Sequence, residues 1–428
     1  MSGTKSPVPA ARADEPRRAL ILVSNTVTHD SRVLREAASL RDLGFDVLIA
    51  GLVSPDEQRT ELDVNGFAVV RLTPLESTRR LLRRRESEPA TAPHETPTAS
   101  APGTGRSGKR FSALRRLVVT SMYYTQGVAL VRRTSPAIVH ANDYDTMWIG
   151  IAAKLLRHSR LVYDSHELWP DRGRPEWRAW LVACEWLFVR VADATITVSP
   201  GCAGVMAARY RVPPPVVVRN VPERMANPPI PAEGLRGGEP PLAIYVGGLA
   251  PERGIEQTIQ ALALVPELRL RFVGYGSEAY RAQLDACAAT AGVADRIEYR
   301  LPVEPAAVAT TIASADMGIS LIEPTCLSYR MSLPNKLFEY VAAGLPIVGS
   351  DLPVIGALIR DEGLGEVAPS NDIAAVAAAM RRLTDPSRNA EVRDRVRSFG
   401  ERVNWEQERH VLEGIYESLV ARSRGPHR

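Results

Sequence analysis

The stretch SLPNKLFEYVAAGLPIVGSD, residues 332–351, reads as a helix running into a strand. Ser332 is placed to cap the helix, and Pro334 suits its first turn, where a backbone N–H is not needed. Leu337, Phe338 and Val341 form an apolar stripe at helical spacing. Gly344 stands where a left-handed residue ends a helix. The apolar run PIVGSD, 346–351, follows as a buried strand. A helix feeding a continuous apolar strand is part of a βαβ unit, so the fold depends on how often this pattern recurs.

It recurs in two series. The first holds ALILVS (19–24), DVLIAG (46–51), FAVVRL (67–72), AIVHAND (137–143), RLVYDS (160–165) and ATITVS (194–199). The second holds LAIYVGG (242–248), LRLRFVG (268–274), RIEYR (296–300), MGISLI (317–322) and PIVGSD. Apolar strands separated by helices imply parallel sheets covered on both faces, and two series imply two doubly wound α/β domains. A chain of 428 residues is also too long for one ordinary core. The segment 221–241, VPERMANPPIPAEGLRGGEPP, is dense in proline and glycine and reads as a linker. The expected parts are a first domain at 17–220, a linker at 221–240, a second domain at 241–400 and a C-terminal helix at 401–428.

Residues 86–110 are low in complexity and rich in Pro, Ala, Thr and Ser, so they are expected to be a disordered insertion. Basic runs flank them: RRLLRRR (79–85) and GKRFSALRR (108–116). These read either as solvated charge or as a patch for anionic lipid.

A net charge of +4 does not call for nucleic acid. Cys184, Cys202, Cys287 and Cys326 are scattered, which argues against a zinc site or a disulfide framework and fits a reducing compartment. The first residues lack the apolar core of a signal peptide. LVVTSMYYTQGVALV, 117–131, falls short of the roughly 20 apolar residues of a membrane span. A soluble cytoplasmic protein is expected, at the inner face of the plasma membrane if the basic runs meet lipid.

Lys336 and Glu339 share one helix face near its N-terminus. One reading is a solvated i,i+3 ion pair. The other is a nucleoside diphosphate site, in which the helix end and the lysine draw phosphate and the carboxylate accepts ribose hydroxyls. YVGGLAPERGIEQTIQAL, 245–262, carries two glycines at a strand end and then Arg253 before a helix. Glycines let backbone N–H groups approach phosphate, and arginine adds a permanent charge. FVGYGSEAY, 272–280, repeats the arrangement one strand later. Glycine loops at successive strand ends point to a nucleotide crevice, although each alone is also an ordinary tight turn.

THDSRVLREAASL, 28–40, reads as a helix capped by Asp30 or Ser31 and ended by Gly44. Asp30 and Arg32 either touch acceptor or diphosphate, or serve as cap and surface charge. Asp143-Tyr144-Asp145 resembles the Asp-x-Asp that holds a metal in single-domain (GT-A) glycosyltransferases. Asp145 is equally placed to cap a helix beginning at Thr146.

Taken in order, VGGL…ERG, FVGYG, LPNKLFEYVAAGLPIV and NWEQERHVLEGIYESL (404–419) resemble the nucleotide-sugar half of a retaining glycosyltransferase of family 4. SNTVTHDSRVLREAASLRDLGFDVLI (24–49), IVHANDYDTM (138–147) and VYDSHELWP (162–170) resemble its other half. The resemblance implies the GT-B fold, two Rossmann-like domains facing across a cleft, with the last helix crossing back to the first domain. It implies transfer of a sugar from a nucleoside-diphosphate sugar to an acceptor hydroxyl, in cell-surface polysaccharide or glycolipid synthesis. The acceptor would be a glycan or lipid-linked, and no dedicated metal or cofactor is expected.

By position, Glu339 would hold the donor ribose and Arg253 the diphosphate. Gly247 and Gly248 would approach the phosphates or sugar, Gly274 and Gly276 would lie near the base, and Asn335, Lys336 and Leu337 would line the diphosphate end. Asp143, His166, Arg253 and Lys336 are the expected catalytic residues, with Asn142 and Glu167 beside them at the cleft.

The chain departs from the family pattern in three places. Gly248 stands where an arginine is frequent. Met331 stands eight positions before Glu339, where a first glutamate is usual. Asn142 stands in place of the second histidine of a His-x-His. Two other readings stay open: a GT-B nucleotide-sugar 2-epimerase, and a non-catalytic nucleotide-sugar-binding subunit of a transferase complex.

Overall fold

The computed structural model describes residues 17–28, 30–53, 61–72, 121–172, 175–224, 235 and 239–423. The insertion 86–110, both basic runs and most of the expected linker lie outside the described residues.

The first series of strands is β1 (Arg18–Leu22), β2 (Asp46–Leu52), β3 (Glu61–Val64), β4 (Phe67–Leu72), β5 (Ile138–Asn142), β6 (Arg160–Ser165), β7 (Ala194–Thr197) and β8 (Val216–Val217). They form one sheet in the order β3-β4-β2-β1-β5-β6-β7-β8. The second series is β9 (Leu242–Val246), β10 (Arg269–Val273), β11 (Ile297–Arg300), β12 (Met317–Ser320), β13 (Ile347–Ser350) and β14 (Gly365–Ala368). Its order is β11-β10-β9-β12-β13-β14, with every neighbouring pair parallel. This is the doubly wound arrangement, with the strand order reversing between β9 and β12. Ala243, Ile244, Met317, Ile319, Ile347 and Val348 are fully buried, as central strands covered on both faces require.

The sequence reading omits three strands. β14 and β8 are too short to show a period. β3 pairs antiparallel with β4 through Asn65-Gly66, both at positive φ (52° and 78°). Asn-Gly is a strong hairpin signal, so β3 was legible.

Two helix starts also differ from expectation. The helix Asn335–Ala342 begins after Pro334, which is its N-cap, and Ser332 Oγ donates instead to Tyr329 O at 3.0 Å. The intervening short helix Leu327–Met331 takes up Ser332 before it can cap. The helix Asp143–Arg157 starts at Asp143 with Asn142 as its N-cap, so Asp145 sits in its first turn and not at the cap position. Asp30 does cap the helix Ser31–Asp42, accepting from Val33 N. Gly344, at φ 68°, ends the helix from Asn335, with Leu345 N donating to Tyr340 O at 2.9 Å.

By contact density the chain divides into two compact units, up to Val162 and from Tyr163 onward, the division falling inside β6. Within the second unit the final helix, Trp405–Ser423, is tied to residues 219–224. Arg219 Nη1 meets Glu408 Oε1 at 2.8 Å, and Trp405 N donates to Pro222 O at 2.9 Å. No helix among the described residues is long and apolar enough to cross a membrane.

Candidate functional site

The second unit gathers most of the expected donor residues at the C-terminal ends of β9 and β10, beside the reversal of strand order. β9 ends in Tyr245-Val246 and runs into the turn Gly247-Gly248. Gly247 has φ 114°, which a side chain rarely adopts. The turn is fixed from below, because Tyr245 donates its hydroxyl to Gly248 O at 2.9 Å. The loop after β10 crosses directly beside it. A Cβ on Gly274 would lie 2.0 Å from Gly247 O, so only glycine permits this approach. Leu249 N donates to Tyr275 O at 2.7 Å, and Leu249 bridges to Gly276. A Cβ on Gly248 would meet nothing within 4 Å, so its backbone borders open space.

Beneath this double loop lies Lys336. Its Nζ is 3.5 Å from the centroid of the Tyr245 ring, a cation–π contact, and a Cβ on Gly247 would come 4.0 Å from the same atom. Arg253 approaches from the loop after β9, its guanidinium 5.1 Å over the Tyr329 ring. That loop holds two residues at φ 65°, Glu252 and Gly254. Gly254 packs on Leu321, where a Cβ would stand 2.4 Å from the Leu321 Cβ, and Glu252 O accepts from Glu323 N at 3.1 Å. The strained Glu252 is therefore held by pairing with the segment after β12.

Burial lowers the Lys336 ammonium well below its ordinary pKa, and the neighbouring Arg253 charge lowers it further, while Glu339 opposes the shift. Lys336 and Arg253 thus stand close enough for their charges to repel, a setting that favours an incoming anion. Lys336 is half-buried, and its ammonium faces the Tyr245 ring.

The lowered pKa has a direct consequence for stability. Between the folded-state pKa and the ordinary lysine value, the unfolded chain binds more protons than the native one, so stability rises with pH through that window. Lys336→Met is expected to raise the melting temperature at neutral pH. The advantage over the parent should shrink as pH climbs and vanish above the ordinary lysine pKa, as read by thermal melts across a pH series.

Tyr340 positions the helix that carries Lys336 and Glu339. Its buried hydroxyl donates to Ile319 O at 2.9 Å and accepts from Val246 N at 3.2 Å, joining the helix to β12 and to the end of β9. Gly318 leaves room for the ring, since a Cβ there would lie 2.4 Å from Tyr340 Cγ. Tyr340→Phe orphans a buried N–H and C=O and is expected to cost about 1–3 kcal/mol in denaturant unfolding.

Asn335 is exposed at the helix N-terminus. The Leu337 side chain is fully buried in the core, because helical phase turns it away from Lys336. Glu323 accepts from Gln257 Nε2 at 3.0 Å and braces the Arg253 loop. Met331 O accepts from Ser199 Oγ at 2.5 Å, and Leu168 N donates to Ser328 Oγ at 3.2 Å. The short helix before Lys336 is thereby fastened to the loops that follow β6 and β7. On the first of these loops, His166 Nε2 lies 3.5 Å from Asp164 Oδ2, and Glu167 pairs with Arg172 at 2.5 Å.

In the first unit the expected cleft residues surround a carboxylate absent from the sequence reading, Glu36. Arg32 Nε is 2.9 Å from Glu36 Oε1, His140 Nε2 is 3.5 Å from Glu36 Oε2, and Asn142 Nδ2 donates to Glu36 Oε2 at 3.2 Å. All four are at most 2% exposed. Arg32 is thus not surface charge, and the Asn142 amide nitrogen is turned to a buried carboxylate. The i,i+4 spacing of Arg32 and Glu36 was the available signal. Asp30 accepts from Asn25 Nδ2 at 2.6 Å, and Arg71 reaches Thr26 O at 3.0 Å and Thr28 Oγ1 at 2.8 Å, fixing the loop after β1. Asp143 opens its helix at φ 64°. Tyr245 and Tyr329, which seat the two cations, also escaped the sequence reading, because aromatic residues beside glycine loops resemble ordinary core.

Comparison with known proteins finds two family models, which part at the expected linker and not inside β6. Residues 29–221 match the family model "Glycosyl transferase 4-like domain", and residues 240–385 match "Glycosyl transferases group 1". The D-inositol 3-phosphate glycosyltransferase of Acidothermus cellulolyticus is 26% identical over 194 residues, 43% of this chain and 42% of that protein. The phosphatidyl-myo-inositol mannosyltransferase of Mycobacterium leprae is 29% identical over 178 residues, 40% of this chain and 44% of that protein. The chain thus spans less than half the length of these curated relatives. Among solved structures, sucrose-phosphate synthase from Thermosynechococcus elongatus superimposes with a TM-score of 0.70 at 18% identity, covering 95% of this chain and 100% of that one.

Proposed function

We infer the function of this chain from its family: it belongs to the GT-B glycosyltransferases of the family 4 type, with two Rossmann-like α/β domains. We propose that it moves a sugar from a nucleoside-diphosphate sugar to a hydroxyl of a glycan or lipid-linked acceptor, with retention at the anomeric carbon. One observation carries this reading: Lys336 lies beside Gly247 and close to the Arg253 charge, one helical turn before Glu339. The leaving diphosphate develops charge as the glycosidic bond breaks. Two preorganised cations and the free N–H groups of a helix end stabilise that charge without reorganisation. In this proposal they do the work for which other transferases use a metal. Glu339 accepts the ribose hydroxyls, and the departing phosphate helps to take the acceptor proton.

Both curated relatives carry inositol in their names, which makes inositol phosphates the first acceptors to try, in a pathway building surface glycans or glycolipids. The test incubates the full chain with UDP-, GDP- and ADP-sugars and these acceptors, following nucleoside diphosphate release and the anomeric proton of the product by NMR. A product with the donor's anomeric configuration is expected. An inverted product would overturn the retaining mechanism, and a free 2-epimeric sugar formed without acceptor would favour the epimerase reading.

A further inference from the structure

The helix Asp143–Arg157 is apolar both toward the sheet and away from it. Gly150 sits over β5 and β6, where a Cβ would come 3.5 Å from Ala141 Cβ and 2.5 Å from Leu161 Cδ1, and Ala153 is fully buried beside it. At about 100° per residue, Trp148 and Leu155 point within about 20° of each other and directly away from Gly150 and Ala153. They are 36% and 72% exposed, and Leu156 beside them is 44% exposed. From Thr146 to Leu156 the helix holds one charged residue, Lys154. A helix apolar on every side is ordinarily covered on every side.

The charge at this face identifies its cover. Helix 121–134 lies alongside and runs the same way: Tyr124 donates its hydroxyl to Asp145 O at 3.2 Å, a Cβ on Gly127 would come 2.3 Å from Ile149 Cδ1, and the Arg157 guanidinium donates to Arg132 O. Arg132, Arg133 and Arg157 therefore gather at the same end of the helix pair as Leu155 and Leu156. All three arginines are exposed, and none has a carboxylate partner among the described residues. Neither 125–142 nor 146–163 contains an aspartate or glutamate to neutralise them. Arginines on the helix Pro386–Arg402 are treated differently: Arg395 pairs with Glu391 at 2.5 Å, Arg397 with Asp394 at 3.2 Å and Arg402 with Glu362 at 2.7 Å. Cations complement the dipole of a helix end, but that role does not call for leucines in water beside them. An exposed apolar centre with a cationic rim suits the headgroup region of an anionic bilayer. A second copy would set the same three charges against themselves. The segment 73–120 carries ten basic and four acidic residues, so it does not supply the missing negative charge either.

We propose that this face docks on the surface of an anionic lipid bilayer, with Leu155 and Leu156 at the acyl boundary, Trp148 among the headgroups, and Arg132, Arg133 and Arg157 on lipid phosphates. Docking of this kind is separate from sugar transfer and is read without substrate. The test is co-sedimentation of the full chain with vesicles of phosphatidylcholine alone and of equal parts phosphatidylcholine and phosphatidylglycerol, with circular dichroism confirming the fold of each variant. The parent is expected to bind the mixed vesicles, and to bind the neutral ones about tenfold more weakly or less still. Leu155→Gln adds no charge and should weaken binding to the mixed vesicles by about tenfold, as one leucine leaves the bilayer. Arg132→Gln combined with Arg133→Gln should weaken it by about tenfold or more. Arg395→Gln combined with Arg397→Gln removes the same charge from paired arginines and should bind like the parent. A parent that ignores the mixed vesicles, or binding that survives either Leu155→Gln or the Arg132 and Arg133 double variant, would overturn the proposal. So would an equal loss in the Arg395 and Arg397 control, which would assign the binding to net charge alone. A parent dimer in sedimentation velocity that Leu155→Gln dissolves would also overturn it, since the face would then be a protein interface.

Discussion

Lys336→Met lowers kcat/KM for the sugar donor by about 100- to 1000-fold, the loss expected when one preorganised charge facing a developing anion is removed. The substitution keeps the packing on the Tyr245 ring and removes only the charge. The fold is expected to survive it, because in the unliganded protein burial and Arg253 already work against the ammonium. The variant should thus be more stable and far less active, a combination that separates a functional lysine from a structural one. Steady-state kinetics beside thermal melts on the same preparation read both quantities. A variant that is less stable and equally active would mean that the ammonium serves the fold and not the donor. Arg253→Ala should reproduce the kinetic loss. The double variant should lose less than the product of the two single losses, because both charges act on one diphosphate.

The second large effect concerns backbone rather than charge. Gly274→Ala places a methyl group 2.0 Å from Gly247 O and 2.8 Å from Gly247 C, both main-chain atoms of the neighbouring turn. Neither turn can retreat freely, since Gly247 N bonds to Val273 O at 3.0 Å and Leu249 N to Tyr275 O at 2.7 Å. The expected cost is roughly 3 kcal/mol or more, a fall in melting temperature of roughly 10 °C, with loss of donor affinity as the Gly247 turn shifts off Lys336. Gly248→Ala is the matched control. Its Cβ meets nothing within 4 Å, so stability should change by less than about 0.5 kcal/mol. Any change in donor affinity at position 248 then reports on ligand contact alone.

The second domain was largely legible because its signals are local. Strand, glycine turn and helix follow one another within a few residues, and β9, β10, β12 and β13 appear where apolar runs end in glycine or serine. Lys336 and Glu339 were legible because helical spacing alone puts them on one face. What escaped was long-range. That the Lys336 ammonium lies over Tyr245, 91 positions earlier, depends on strand order and not on spacing. The Glu36 cluster is of the same kind, for His140 and Asn142 reach it only because β1 and β5 are neighbours in the sheet. Ser332 misled for a local reason. The residues before it already form a short helix, and a capping residue must be free of the preceding turn. β3 is announced by Asn65-Gly66, whose turn chemistry is a property of the dipeptide.

The central claim is that Lys336 and Glu339 line a donor site, and calorimetric titration of UDP-, GDP- and ADP-sugars into the parent and into Glu339→Ala tests it most directly. The account predicts that one donor binds the parent and takes up protons as it does so, because phosphate returns the Lys336 pKa toward its ordinary value. Buffers of different ionisation enthalpy expose that uptake, and Glu339→Ala should bind the same donor at least tenfold more weakly (about 1.4 kcal/mol). Binding that is indifferent to Glu339 and to buffer, or no binding by any of the three donors, would contradict the account.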